Sequence, residues 1–349
     1  MSDVMVGALT VLLATNPPAA LTNLVLEKTG LAVLQTRTND PVARELQLIL
    51  DADDAAQEEI DRWIEEAEPE GDPAAQLAAS TLRGRIQQRI EPIRNRYREF
   101  LSAHPTNATA HLAFGSFLNS YGDEPAAIQS WERARQLDPR NPASWNNLAN
   151  AYAHSGPVTK SFPMFEEAIR LNPTEPVYLH NYGTLVFMFR RDATNHFKCD
   201  EQEVFQKAFG LYQRAIALDP NNFQLAADVA QTYYGWRLPR TTNSVAAAQA
   251  ELDLATTAMK AWTNALSLAP NEIDREGVQL HFARWNIRLG RLEEASRHLS
   301  TVTNEAHAVI RKRLEKTVRE REVELNRHPS ETTEPRTPSR QAETPAPMP

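Results

Sequence analysis

Residues 108–141 and 142–175 carry the same arrangement of residue types, offset by 34 positions. Phe114-Gly115 in the first stretch is answered by Leu148-Ala149 in the second, and Gly122 by Gly156. Trp131, Ala134 and Pro139 are answered by Phe165, Ala168 and Pro173, and the closing segments WERARQLDPRNP and FEEAIRLNPTEP are similar throughout. A period of this length constrains the fold more than composition does. A single unit cannot bury its own apolar face, so the units must stack and share a core.

The pattern returns as YQRAIALDPNN at 212–222 and WTNALSLAPNE at 262–272. A last copy, QLHFARWNIRLGRLEEASRHL at 279–299, has Gly290 at its turn and Ala295 in its second helix. Upstream, YREFLSAHPTN at 97–107 reads as the end of a degenerate unit. Each recurring type has a physical reason. Ala134, Ala168, Ala215 and Ala265 let two helices approach closely, and Trp131, Phe165, Tyr212 and Trp262 fill the gap between successive units. Pro139, Pro173, Pro220 and Pro270 cannot continue a helix and so end each unit.

This spacing resembles the tetratricopeptide repeat as bacterial proteins carry it, over about 97–302, or 206 of 349 residues. The resemblance implies an all-α fold, a right-handed superhelical solenoid of helix–turn–helix repeats with helical N- and C-terminal caps. The expected layout is a helical cap over 1–74 and a solenoid over 75–303. Its clear units are 108–141, 142–175, 176–222, 223–272 and 273–303, followed by a capping helix at 304–327. The tail 328–349 lacks apolar periodicity, is rich in Pro, Ser and Thr, and is expected to be disordered.

Departures from the pattern carry information. His111 stands where Trp145 stands one unit later, Ser161 replaces the usual alanine, and Pro163 should kink its helix or delay its start. FRRDATNHFKCDEQEVF lengthens the third unit by 13 residues, and GWRLPRTTNSVAAAQAELDLATTAMKAW lengthens the fourth by 16. Consecutive units place equivalent loops on one edge, so these two insertions are expected to be neighbours.

The ends differ from the middle. Residues 51–72 hold eleven acids and one base, with Ile60, Trp63 and Ile64 as an apolar stripe, which predicts an amphipathic capping helix before a long helix at about 75–103. Residues 304–327 predict a charged closing helix with Ile310, Leu314, Val318 and Leu325 on its apolar side and Glu315/Arg319 and Lys316/Glu320 as surface pairs. Residues 6–14, VGALTVLLA, are apolar but far short of a membrane span, and no basic residue precedes them. They read as a buried helix in a cytoplasmic protein. The alternative is a signal peptide, with export or a periplasmic location.

The formal charge of −8 argues against a nucleic-acid partner, because phosphate binding relies on clustered positive charge. Cys199 is the only cysteine, so neither an intrachain disulfide nor a cysteine-based zinc site is available. His196, Cys199 and Asp200 do not match a recognised metal spacing, and no metal or other cofactor is expected. Glycine-rich phosphate loops, HExxH helices and GxSxG elbows are absent from the sequence.

Three asparagines in the unit 142–175 raise the functional question. On a helical wheel Trp145, Leu148, Ala149 and Tyr152 share the packed face, while Asn146 and Asn150 point away from it. The resemblance implies that the first helix of each pair lines a concave groove. Asn146, Asn150 and His154 would then face it, and Asn147, Asn181 and Asp228 would form a ladder along three stacked first helices. Side-chain amides offer both donor and acceptor, which suits the backbone of an extended peptide. His180 and Asn181 stand where the family's carboxylate clamp would need basic residues, which argues against that type of groove. Arg284 and Arg288, one turn apart, would add positive charge to it.

A second candidate surface is the insertion edge, where Arg190, Arg191, Trp236, Arg237 and Arg240 would form an Arg-and-aromatic cluster with Tyr233 and Tyr234. These features point to a non-catalytic scaffold binding a protein or extended peptide. One alternative is an enzyme or metal-dependent accessory using the inserted loops around His180, His196 and Cys199. Another is a structural oligomer.

Overall fold

A computed structural model describes residues 40–65, 73–238 and 243–327. The expected N-terminal apolar helix at 6–14 and the tail from 328 lie outside the described residues. The chain parts into two compact units, one ending at Pro270 and one beginning at Asn271. Among the described residues it is all α-helix, with three short 3₁₀ turns.

Among the described residues the first unit begins with α1 (Pro41–Glu65) and α2 (Pro73–Ala103). Of the cap expected at 51–72, residues 51–65 belong to one 25-residue helix that starts well before them, and 66–72 lie outside the described residues. Ile60 is buried and Trp63 half-buried as the stripe predicts, but Ile64 is exposed.

Four helix pairs follow. They are α3 (Ala108–Ser120) with α4 (Glu124–Leu137), α5 (Pro142–Ser155) with α6 (Ser161–Leu171), α7 (Pro176–Met188) with α9 (Glu201–Leu218), and α10 (Phe223–Thr232) with α11 (Ser244–Leu268). The helix α8 (Arg190–Phe197) is inserted within the third pair. The first three pairs start 34 residues apart, at Ala108, Pro142 and Pro176, and the fourth starts 47 residues later at Phe223, after the inserted helix.

The recurring loop between pairs explains itself as two caps. Asp138, Asn172 and Asp219 each donate a backbone N–H to Ala134, Ala168 and Ala215, ending one helix. Three residues later the side chains of Asn141, Glu175 and Asn222 accept from the first turn of the next helix. Each such cap stabilises its helix by about 1 kcal/mol. Pro163 causes no kink. The 3₁₀ turn Val158–Lys160 delays α6 until Ser161, so the proline sits in the first turn, where its missing N–H has no helical partner to lose.

Packing between helices follows the repeat types. Ala134, Ala168, Ala215 and Ala265 are all but fully buried, as are Trp131, Phe165, Tyr212 and Trp262. The indole of Trp131 lies on Gly115, where an added Cβ would come within 2.5 Å of its Cδ1. Trp131 also donates Nε1–H to the carbonyl of Leu112 at 3.2 Å. His111 and Trp145 play the same part in their units. Each ring N–H reaches the carbonyl six residues back, Pro105 at 3.1 Å and Pro139 at 2.9 Å. A donor at that place, rather than an indole, is what the unit requires.

The second unit pairs α12 (Glu272–Arg288) with α13 (Leu292–Ser300) and closes with α14 (Ala308–Arg327). Val318 is buried against Leu280, Ala283 and Ile287, and Ile310 and Leu314 pack beside it, whereas Leu325 is exposed. Arg321 donates to the Ile287 carbonyl in the last turn of α12 and Arg311 to that of Val302 just past α13, both at 2.6 Å, so side chains of α14 tie it to the ends of both helices. Lys316 pairs with Glu320 as expected, while Glu315 is joined by Arg311 instead of Arg319.

Candidate functional site

The candidate groove lies on the first helices of the pairs, where α3 touches α5 and α5 touches α7. Its asparagines divide into two kinds. Asn146 is 0 % exposed, so the expectation that it faces a ligand is overturned. Its Nδ2–H donates to Asn147 Oδ1 at 3.2 Å, and its Oδ1 accepts from Asn181 Nδ2–H at 3.1 Å. A helical wheel accounts for the partner helix of the same pair. It misses the sideways neighbour, and that neighbour is what buries Asn146.

The expected Asn147–Asn181–Asp228 ladder is therefore a different network. Asn147 is buried and reaches Asn181 through Asn146, while Asp228 is bonded to His180. His180 Nε2–H donates to Asp228 Oδ2 at 2.6 Å, tying α7 to α10, and Gln224 donates to the other carboxylate oxygen at 3.2 Å. Each tie runs from one first helix to the residue 34 or 47 positions further, offset by one place. His180 also lies beside the buried Tyr212, whose hydroxyl shares a 2.9 Å hydrogen bond with Thr184. Burial pushes the Tyr212 phenol far above its ordinary range, with the Asp228 carboxylate adding to it, so it stays neutral. Asn147 Nδ2 is buried with no hydrogen-bond partner among the described residues.

What the groove presents outward is smaller. Asn150 and His154, four residues apart on α5, are exposed, and Asn181 is half-buried. Arg284 and Arg288 belong to the second unit. There Arg284 is half-buried, and Arg288 is exposed with its guanidinium 4.9 Å from the ring centre of Trp285.

The insertions are largely helical. The third unit's insertion forms α8, ends in a left-handed residue at Lys198, and restarts through the reciprocal Asp200/Glu203 cap of α9. The fourth unit's insertion becomes the 3₁₀ turn Tyr233–Gly235, a short extended stretch and the first half of α11. The two meet as expected. Glu201 accepts from Arg190 at 3.2 Å and from Arg237 at 3.0 Å, joining one insertion to the other. Arg190 also lies over the rings of Phe187 and Phe205. Trp236 packs on Phe205, Phe209 and Tyr233, so its ring is partly core. Arg191 and Arg237 are exposed, and Arg240 lies outside the described residues.

Gly235 makes this contact possible. A Cβ there would meet Phe205 at 2.7 Å and Phe187 at 3.0 Å. Gly235→Ala is expected to lower stability by about 1 kcal/mol through overpacking. It should also speed amide exchange in α8 while leaving α3 untouched, and equal exchange in α8 would refute the contact's role.

His196 and Cys199 are drawn into packing. His196 Nε2 lies 2.9 Å from Glu166 Oε1, which also accepts from Tyr182 at 2.8 Å, and its ring stacks on Phe162. Burial, with Glu203 adding, pushes the Cys199 thiol up, the opposite of what a reactive thiolate needs. Among the described residues no group of three or more His, Cys, Asp or Glu is arranged to hold a metal. Glu166, Tyr182, Gln224 and Gly235 join the site without a motif of their own in the sequence. The signal available was spacing, since His180 to Asp228 is 47 residues plus one.

The helix pairs, their period and the small-to-large contacts between them define the architecture. The chain is built of stacked helix pairs that resemble the tetratricopeptide repeat. No protein-family model matches it. It is 24% identical over 127 residues to the Photosystem I assembly protein Ycf3 of a Prochlorococcus marinus strain, a match covering 35% of this chain and 73% of that protein. It is similar in structure to PilW, a widely conserved type IV pilus biogenesis factor, at 16% identity and a TM-score of 0.49, covering 67% of this chain and 95% of that one. It is also similar to PilF of Pseudomonas aeruginosa at 15% identity and a TM-score of 0.47, covering 79% and 99%. YrrB, a TPR protein with an unusual peptide-binding site, matches at 14% identity and a TM-score of 0.45, covering 63% and 97%. With these scores below 0.5, the repeat assignment stands on the helix pairs themselves. Among the described residues no helix is long and apolar enough to cross a membrane.

Proposed function

We propose that this protein is a non-catalytic scaffold that holds a protein or extended peptide along the first helices of its first unit. The observation that supports this reading is the division of labour on α5. Asn146 is consumed in ties between helices, which stiffen the wall, while Asn150 and His154 remain exposed beside it. An exposed amide can pair with peptide backbone in either sense, and a wall already fixed by its own hydrogen bonds loses little entropy on binding. The engagement of His180 by Asp228, of His196 by Glu166, and the raised Cys199 thiol all favour binding over catalysis.

The test places a photo-crosslinking residue at Asn150 and, separately, at the exposed Arg133 on α4, in the full chain inside cells. Protein adducts are expected from position 150 and not from 133. Equal adducts at both positions, or adducts at 133 alone, would overturn the groove reading. Asn150→Ala with His154→Ala should abolish adduct formation from a probe at Asn181 without changing the melting temperature.

A further inference from the structure

Helix α1 lies over α2 and α3, its Leu46, Ile49, Ala56 and Ile60 sharing a core with Ile90, Ile93, Tyr97 and Phe117. Polar contacts cross the same seam. Asp53 Oδ2 accepts from the Tyr97 hydroxyl at 3.0 Å, and Gln57 Oε1 from that of Tyr121 at 3.3 Å. Arg89 donates to Glu59 at 2.7 Å, and the Arg85 guanidinium sits 3.8 Å from the centre of the Trp63 ring. Tyr97 is 0 % exposed and Asp53 half-buried, so the carboxyl meets the phenol at the edge of the seam.

We propose that Asp53 is a proton-operated latch: protonated, it holds α1 against the first helix pair, and ionised, it lets α1 lift from it. The groups around the latch give a new negative charge little support. On α1 its neighbours are Asp54 and, two turns on, the buried Asp61. From α2 it meets the Tyr97 phenol, and from α3 the Tyr121 phenol, whose own ionisation Asp53 and Asp61 oppose. Arg89, the nearby cation on α2, is already joined to Glu59. Burial is the main cause that lifts the Asp53 carboxyl from 3.8 to about 7; Asp54 adds to this and the Tyr97 hydrogen bond opposes it.

The direction follows from proton linkage. Closed α1 keeps a proton that lifted α1 gives up, so its hold is full below pH 3.8, weakens as pH rises towards about 7, and is constant above. Between about pH 5 and pH 7 lifting should become roughly fifty-fold more favourable. Lifting would uncover Ile90, Ile93, Tyr97 and Phe100, an apolar edge that α1 otherwise covers. This device operates whatever the groove binds.

Hydrogen exchange of the full chain at about pH 5, 6, 7 and 8, corrected for the intrinsic pH dependence of exchange, tests it. Amides of α1 should lose roughly fifty-fold in protection from about pH 5 to 7 and then level off, while α5 stays constant. Asp53→Asn should hold α1 at the protected level across the range. Equal slopes in α1 and α5, or an Asp53→Asn protein with the wild-type slope, would overturn the latch. Tyr97→Phe removes the hydrogen bond favouring the ionised form and should move the levelling point to higher pH; an unmoved curve would count equally against the proposal.

Discussion

Trp131→Ala is expected to destabilise the first unit by about 4 kcal/mol, within the range for truncating a buried tryptophan. The residue is 3 % exposed, covers Gly115 and donates its indole N–H to Leu112, so alanine removes packing and leaves a buried carbonyl without that donor. The companion substitution sharpens the test. Gly115→Ala alone should cost about 2 kcal/mol, because its Cβ would enter the Trp131 ring. In the Trp131→Ala background the obstacle is gone, and the same change should instead stabilise by up to about 1 kcal/mol through helix propensity. Urea unfolding of the four proteins followed by circular dichroism gives the cycle. Additive effects of one sign would mean that the glycine is there for another reason. Because neighbouring repeats stabilise one another through their interfaces, the loss should spread to α2 and α5 before it reaches α10.

Much of this was legible in the sequence because the repeat makes its demands at fixed offsets. Proline, alanine and aromatic positions set out the helix pairs, and Pro163 allowed either a kink or a delayed start, of which α6 shows the second. Less legible were the segments outside the period. SVAAAQAELDLATTAMKAW, which the repeat spacing assigns to an inserted loop, is rich in the best helix former and is capped by Asn243, and it continues α11 without a break. The repeat frame masks that local signal. The boundary at Pro270 had no sequence marker of its own, since the same proline position recurs within the first unit. Sideways contact was the other gap. A wheel has one packed face, but a first helix in a stack touches its own partner and the first helices before and after it. Asn146 lies on one of those flanks, so its polarity suggested water when it signified a neighbour.

That difference separates holding from gripping in one pair of substitutions. Asn146→Ala is expected to destabilise by about 2 to 3 kcal/mol, because it strips a hydrogen bond from Asn147 on its own helix and another from Asn181 on the next. Leaving such groups unsatisfied costs about 1–3 kcal/mol each when they are buried, and Asn181, only half-buried, recovers part of its share from water. Asn150→Ala, one turn further along the same helix and exposed, should change stability by no more than about 0.5 kcal/mol. The effects on a crosslinked partner should run the other way. Asn150→Ala should lose adducts from a probe at Asn181 while melting like the wild type, and Asn146→Ala should keep them at temperatures where the unit remains folded. Urea midpoints and adduct yields, read together, decide the matter. If Asn146→Ala melts like the wild type, the ties between first helices contribute nothing measurable and the wall is held by its apolar core alone. If instead Asn150→Ala melts several degrees lower, the exposed amide has a structural partner, and the gripping surface must be sought at the insertion edge around Arg237.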